Sequence, residues 1–236
     1  PEERFQPTVD LLQNIGPIDG LIMASPSNPT GTTVSSGELE KLVSWCKDSN
    51  VRLISDEIYH GINFGDPPTT AALFDDHVIV VNSFSKYFAM TGWSIGWMIA
   101  PTNLVPTIER LAQNLFVSPA ALPQRAALTA LDCRKELDSY VRAYAKNRQF
   151  LLEQLPAAGF NKIAPSDGAF YLYADVSDLT DDSKQFCKRM LEEVGVASTP
   201  GIDFDQHHGH QYVRFSFAGS ERTVTEAAER LVNWRR

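Results

Sequence analysis

Val78-Ile79-Val80-Val81-Asn82-Ser83-Phe84-Ser85-Lys86-Tyr87-Phe88-Ala89-Met90-Thr91-Gly92-Trp93-Ser94-Ile95-Gly96-Trp97 is the stretch on which the reading of this chain turns. Val78 to Val81 is a short apolar β-branched run and reads as a buried strand. It delivers two serines and a lysine into a turn, and small and aromatic residues follow. Desolvation among such neighbours lowers an amine's pKa and makes it a nucleophile toward an aldehyde. The hydroxyls and backbone N–H groups of such a turn suit a phosphate. Taken alone, the segment has a second reading, in which Lys86 is a solvated loop charge.

Working outward, the chain alternates strands and helices. Asp19 to Ala24 reads as a buried strand running into the Pro/Asn/Gly loop Ser25 to Thr32. Ser36 to Asp48 has helical spacing, with Leu39, Leu42, Val43 and Cys46 on one face and Ser35 or Ser36 as its cap. Val51 to Ser55, Val78 to Asn82 and Ile95 to Ala100 read as three further strands, and Asn103 to Asn114 and Pro123 to Leu131 as helices. This alternation predicts an α/β fold with a mostly parallel sheet flanked by helices. After a long helix, about Glu136 to Leu155, the pattern changes. Ala169 to Asp175 alternates like a half-exposed strand, Ser183 to Val194 is an amphipathic helix, Gln211 to Phe217 alternates again, and Glu221 to Trp234 closes the chain as a helix. The expected division is a large domain over residues 1–145 and a small C-terminal α+β domain over residues 146–236.

The bulk composition narrows the function. The 236 residues suffice for a sizeable core and one or two domains. A net charge of −8 argues against a nucleic-acid partner, whose affinity rests on Lys and Arg meeting phosphates. No apolar run approaches the roughly 20 residues that span a bilayer. No signal-peptide pattern opens the sequence, and Cys46, Cys133 and Cys187 are odd in number and widely spaced, so the expected setting is a reducing cytoplasm without disulfides. The chain begins at Pro1 without a methionine, and strand-like sequence follows almost at once. His207, His208 and His210 lie near Asp203 and Asp205, but a polar surface loop accounts for them and no metal is assigned.

In parallel sheets, ligands bind beyond the carboxyl ends of the strands. The first strand end leads to Ser25-Pro26-Ser27-Asn28-Pro29-Thr30-Gly31, where Asn28 sits between prolines in a stiff loop and can donate an amide hydrogen bond; a tight turn also explains it. The second gives Ser55-Asp56-Glu57-Ile58-Tyr59. An Asp after a buried strand is costly unless it meets a cation or donors. Opposite a pyridine nitrogen it keeps that nitrogen protonated, and Tyr59 can reach the ring's phenolic oxygen; capping of a following helix is the other reading. The third is the Lys86 segment. Finally, Val213-Arg214-Phe215-Ser216-Phe217 carries an Arg in an alternating strand. A substrate carboxylate would fill its fork bidentately, whereas a solvated face would leave it outward, and alternation does not separate the two. A Schiff-base lysine with a phosphate cradle is what pyridoxal 5'-phosphate requires.

Together, SPSNPTG, SDEIY, NSFSKYFAMTGWSIGW and RFSFA resemble, in order, signatures of the class I/II aminotransferases of the fold-type I pyridoxal-phosphate family. The resemblance covers nearly the whole chain. It implies an aminotransferase that moves an amino group between an L-amino acid and a 2-oxo acid. It implies that Lys86 forms the Schiff base and later shuttles the proton between the substrate's alpha carbon and the cofactor. It further implies that Asp56 pairs with the pyridinium nitrogen, Tyr59 and Asn28 contact the phenolic oxygen, and Ser83 and Ser85 contact the phosphate. Arg214 then grips the substrate's alpha-carboxylate, and the working protein is a homodimer.

Two departures stand out. Members of the family usually carry an arginine eight positions after the lysine, paired with the phosphate; here that position is Ser94. Loss of a charge-assisted partner weakens binding by about 1.5–3 kcal/mol. The family also has a further N-terminal portion that contributes strands, a Gly-rich loop and an aromatic that stacks on the cofactor ring, so the large domain reads as incomplete. Three alternatives accompany the leading reading: a carbon–sulfur beta-lyase, the cofactor-binding sensor domain of an aminotransferase-like transcription regulator, and an inactive fragment. A lyase tends toward histidine where this chain has Tyr59, and the intact SPSNPTG loop suits an enzyme better than a sensor.

Overall fold

The apolar runs around the lysine segment form one four-stranded sheet in the order β1 (Gly20–Ala24), β2 (Arg52–Asp56), β3 (Ile79–Ser83) and β4 (Gly96–Ile99). The computed structural model describes residues 4–234, and Cα proximity divides them into two units. This sheet belongs to the unit made of Gln6–Ser27 and Thr33–Asp138. Pairing is parallel from β1 to β2 and from β2 to β3, as the strand–helix alternation predicts. β4 instead runs antiparallel to β3, with Ser83 opposite Gly96. A parallel return needs a long crossover, usually through a helix, and the link from β3 to β4 holds only the single turn Thr91–Trp93.

α1 (Val9–Asn14) precedes the sheet, and α2 (Ser36–Asp48) crosses from β1 to β2. Thr8 and Ser35 are their N-caps, each accepting a backbone N–H at the third position beyond, Leu11 and Glu38. The predicted apolar face of α2 is buried: Leu39, Leu42, Val43 and Cys46 pack with Leu12, Met23, Leu53 and Val80. α3 (Val105–Phe116) and α4 (Ala121–Ala130) follow β4. α3 is strongly amphipathic yet buries none of its residues, and every residue of β4 is exposed.

The other unit takes Asn28–Thr32 and the chain from Ser139 on, with Arg4 and Phe5. Its sheet has the order β5 (Lys162–Ile163), β6 (Tyr171–Asp175), β8 (Tyr212–Ser216), β7 (Thr199–Pro200), all antiparallel. α5 (Arg134–Gln154) from Ser139 on, α6 (Ser183–Val194) and α7 (Glu221–Trp234) complete it. Phe160, Leu172, Met190, Val213, Phe217 and Leu231 form its fully buried interior.

The expectation of a half-exposed strand at Ala169 to Asp175 fails, because Tyr171 to Ala174 are all buried. The polar-capable face of β6 is covered by aromatic neighbours: Tyr173 stacks on Tyr212 at 4.8 Å, and Phe5 meets both rings edge-on. Asn28–Thr32 joins this unit through Gly31, whose carbonyl accepts from Asp167 and Gly168 N–H at 2.8 and 2.9 Å. Gly31 has φ +70°, and a Cβ there would lie 2.9–3.0 Å from Ser166, Gly168 and Tyr171.

Leu42 is fully buried in the core of the first unit. Leu42→Ala is expected to destabilise that unit by about 2–5 kcal/mol. A urea midpoint that falls at constant slope is the check, and an unchanged midpoint would contradict the packing described.

Candidate active site

The parallel register brings three loops out at one edge of the sheet. Ala24 pairs with Asp56, and Asp56 with Val81, so β1 and β2 end at one level and β3 runs two residues beyond it. Pairing runs on past the strand ends: Ser25 N–H donates to Asp56 O at 3.2 Å, and Glu57 N–H to Val81 O at 2.9 Å. The loops that begin at Ser25, Glu57 and Phe84 therefore start side by side.

Ser83 Oγ bonds Ser85 Oγ at 2.8 Å and donates to Ile95 O at 3.1 Å, while Ser85 N–H donates to Ser83 Oγ at 3.0 Å. Thr91 Oγ1 donates to Ser85 O at 2.7 Å. Phe84 N–H reaches Ile95 O, and Met90 N–H reaches Phe84 O, which closes the loop on itself. The aromatics noticed in the sequence form a packed group, with Phe84 4.6 Å from Phe88 and 5.0 Å from Trp97 between ring centroids. Lys86, half-buried in this loop, holds its Nζ 5.7 Å from the centre of the Tyr59 ring, a cation–π distance.

Asp56 ends β2, and its Oδ1 accepts from Ile58 N–H at 3.0 Å. No helix follows it, so the helix-capping reading is replaced by a turn cap. Tyr59 is buried. Ser94, where the family usually has arginine, is exposed and left-handed at φ 51°.

The second group lies in the other unit. Arg214 Nη1 donates to Asn28 Oδ1 at 2.6 Å, and Nη2 donates to Thr199 Oγ1 at 3.1 Å. The guanidinium carbon sits 4.3 Å from the Tyr171 ring centre and 4.7 Å from that of Phe204. Arg214 Nε is buried and has no hydrogen-bond partner among the described residues. The guanidinium is thus held between two rings rather than on a solvated face. The structure brings Lys86 together with Tyr59, Ser83 with Ser85, and Arg214 with Asn28; the first two pairs and Asp56 belong to one unit, the third pair to the other.

Sequence reasoning missed two polar residues of the Asp56 loop. Glu57 is buried, and its Oε1 accepts from Ser55 Oγ at 3.1 Å and from Ala71 N–H at 2.8 Å. His60 Nε2 lies 3.1 Å from Ser25 O, and its Nδ1 3.5 Å from Glu57 Oε2. Together they tie the Ser25 and Asp56 loops. The only sequence signal was acidic and imidazole groups flanking an apolar Ile-Tyr pair. A cavity of about 530 Å³ lies at the opposite, amino ends of β1–β3, lined by Asp19, Cys46, Lys47, Arg52, Asp75 and His77 among others. It contains none of the strand-end groups. Among the described residues no three His, Cys, Asp or Glu side chains gather as metal ligands, and no helix is long and apolar enough to cross a membrane.

The family profile for aminotransferase class I and II matches residues 1–231, and the chain belongs to that family. A particular likeness is to the valine–pyruvate aminotransferase of Mycobacterium tuberculosis, 46% identical over 99% of this chain and 62% of that protein. A solved aminotransferase from Mycobacterium tuberculosis superposes with a TM-score of 0.96 at 47% identity, over 99% of this chain and 62% of the other. Aspartate aminotransferase from Thermus thermophilus with maleate superposes at 0.90 and 32% identity, over 99% of this chain and 62% of that one. This chain therefore spans about three fifths of the length of these relatives.

Burial holds His60's pKa below its ordinary value of about 6.5, with Glu57 opposing the shift. Below that value the unfolded chain takes up this proton more readily than the folded one. The stability linked to His60 is thus complete above about pH 6.5 and falls as pH drops through and below it. His60→Gln is expected to lose less of its urea midpoint than the parent between about pH 7.5 and 5.5. Equal losses in both proteins would refute the assignment.

Proposed function

We propose that this chain is the larger part of a pyridoxal 5'-phosphate-dependent aminotransferase that moves an amino group between an L-amino acid and a 2-oxo acid. The observation that carries the reading is Lys86 Nζ, 5.7 Å from the Tyr59 ring, in a loop that follows the Ser83–Ser85 hydroxyl pair and starts beside the Asp56 strand end. Family membership supports the same reading.

The donor set fits the cofactor chemically. An amine suits its aldehyde, a carboxylate its pyridinium nitrogen, a phenol its phenolic oxygen, and hydroxyls with backbone N–H groups its phosphate. In this reading Lys86 holds the cofactor, Asp56 the ring nitrogen, Tyr59 and Asn28 the phenolic oxygen, and Ser83 and Ser85 the phosphate. Arg214 receives the substrate's alpha-carboxylate, a role that its buried, unbonded Nε supports. When bound, the cofactor supplies an electron sink for the substrate's alpha carbon. Lys86 Nζ, freed when the substrate's amine takes its place, would take the proton from that carbon and pass it to the cofactor.

The amino donor is read as a small apolar L-amino acid of the valine type with pyruvate as acceptor, because the Mycobacterium tuberculosis relative carries that name at 46% identity. The whole protein is read as a cytoplasmic homodimer. Leu111, Leu115 and Phe116, exposed on α3, support a face that is covered in the working assembly.

Borohydride treatment after incubation with pyridoxal phosphate, followed by peptide mass analysis, tests the site. A pyridoxyl mass on Lys86, absent from Lys86→Ala, is expected. A mass spread over surface lysines, or none, would sink the reading. Spectra recorded with a panel of L-amino acids then test the transfer: valine should convert the bound-cofactor band, and a band that no amino acid converts excludes a transaminase. Ser94→Arg should tighten cofactor retention by about ten- to a hundredfold, the equivalent of a charge-assisted phosphate partner. Dialysis rates compare the two proteins, and equal retention would mean that the phosphate does not approach this position.

A further inference from the structure

Tyr87 immediately follows Lys86, and none of the roles above uses it. Three contacts fix it. Its ring lies against Gly61, where a Cβ would come within 2.6 Å of Tyr87 Cγ and Cδ2. Gly61 has φ +94°, so both its backbone and its missing side chain make room for the ring. Its hydroxyl donates to Asp138 Oδ1 at 2.6 Å, in the second turn of α5. Its ring meets Phe88 edge-on at 5.1 Å.

The first two contacts bear on Lys86. Gly61 follows Tyr59 by two residues, in a turn closed by Ile62 N–H to Tyr59 O at 3.0 Å. The ring therefore gauges the spacing between the Tyr59 turn and the Lys86 turn. The bond to Asp138 ties the same residue to the start of a 21-residue helix. Ala89 N–H donates to Lys86 O at 3.0 Å, which fixes the carbonyl side of the lysine. Burial and the Asp138 carboxylate push the Tyr87 hydroxyl up to about 12, so it remains a donor near neutrality, with Arg134 opposing the shift.

We propose that Tyr87 is a positioning residue, clasped between Gly61 and Asp138, that sets Lys86 at its working distance from Tyr59. The inference deepens the reading of Lys86 as the cofactor-holding amine and rests on it. A backbone turn alone leaves the peptide between Lys86 and Tyr87 free to rock, and the lysine's long side chain amplifies small rotations. A ring held on one side by a glycine and on the other by a half-buried hydrogen bond removes that freedom.

Tyr87→Phe keeps the ring against Gly61 and removes only the tie to Asp138. At subsaturating pyridoxal phosphate, borohydride-fixed pyridoxyl on Lys86 is expected to fall about fivefold, the value of one ordinary hydrogen bond. Amide hydrogen exchange over residues 84–89 should quicken while that over β6 and β8 stays unchanged. Asp138→Ala should match Tyr87→Phe, Asp138→Asn should restore most of the fixation because its amide oxygen still accepts, and the double variant should be no worse than either single one. Parental fixation and exchange in Tyr87→Phe, or additive losses in the double variant, would overturn the proposal. If the parent chain itself fixes no pyridoxyl on Lys86, the functional reading fails on its own. Exchange then decides the clasp: quickening over residues 84–89 supports it, and no change overturns it.

Discussion

The parallel register of three short strands is the constraint on which the candidate site depends. Because Ala24, Asp56 and Val81 lie at one level, three unrelated loops leave the sheet side by side. The backbone bonds from Ser25 to Asp56 and from Glu57 to Val81 carry that alignment beyond the strands. A slip of one residue would turn Asp56 and its neighbours to the opposite faces of the sheet. The apolar set on α2 opposes such a slip, since it buries Met23, Leu53 and Val80 together.

Polar groups at the strand ends are held by local bonds rather than by solvent. Glu57 is nearly inaccessible and accepts from Ser55 and Ala71. An unsatisfied carboxylate there would be expensive, so these bonds fix the geometry of the Asp56 loop as well as stabilise it. The Ser83–Ser85 pair and its bond to Ile95 do the same for the lysine loop. Arg214 reaches a comparable result by other means, with its guanidinium between Tyr171 and Phe204 and its terminal nitrogens on Asn28 and Thr199. Each group of residues is held by bonds within its own unit.

Much of this was legible in the sequence. Periodicity located α2, α6 and α7 at their observed bounds, because each has a buried stripe at helical spacing. Six of the eight strands described were located within one or two residues, and the two-residue strands β5 and β7 were not located. The direction of β4 was not legible, because an apolar run looks alike in either orientation. The burial of β6 was missed for a related reason. Alternation reports which residues share a face, but not that Phe5, Tyr212 and Arg214 would cover the second face.

The sequence by itself determined the longer secondary elements, the order of the four chemical signatures and the identity of the amine, carboxylate, phenol and guanidinium groups. Those follow from local propensity, spacing and side-chain chemistry. Only the tertiary structure decided that Arg214 lies between two rings instead of facing water, that Asp56 caps a turn instead of a helix, and that Glu57, His60 and Tyr87 brace the loops. Those outcomes depend on contacts between residues far apart in the chain, such as Arg214 with Asn28 and Tyr87 with Asp138, and no local pattern encodes a long-range neighbour.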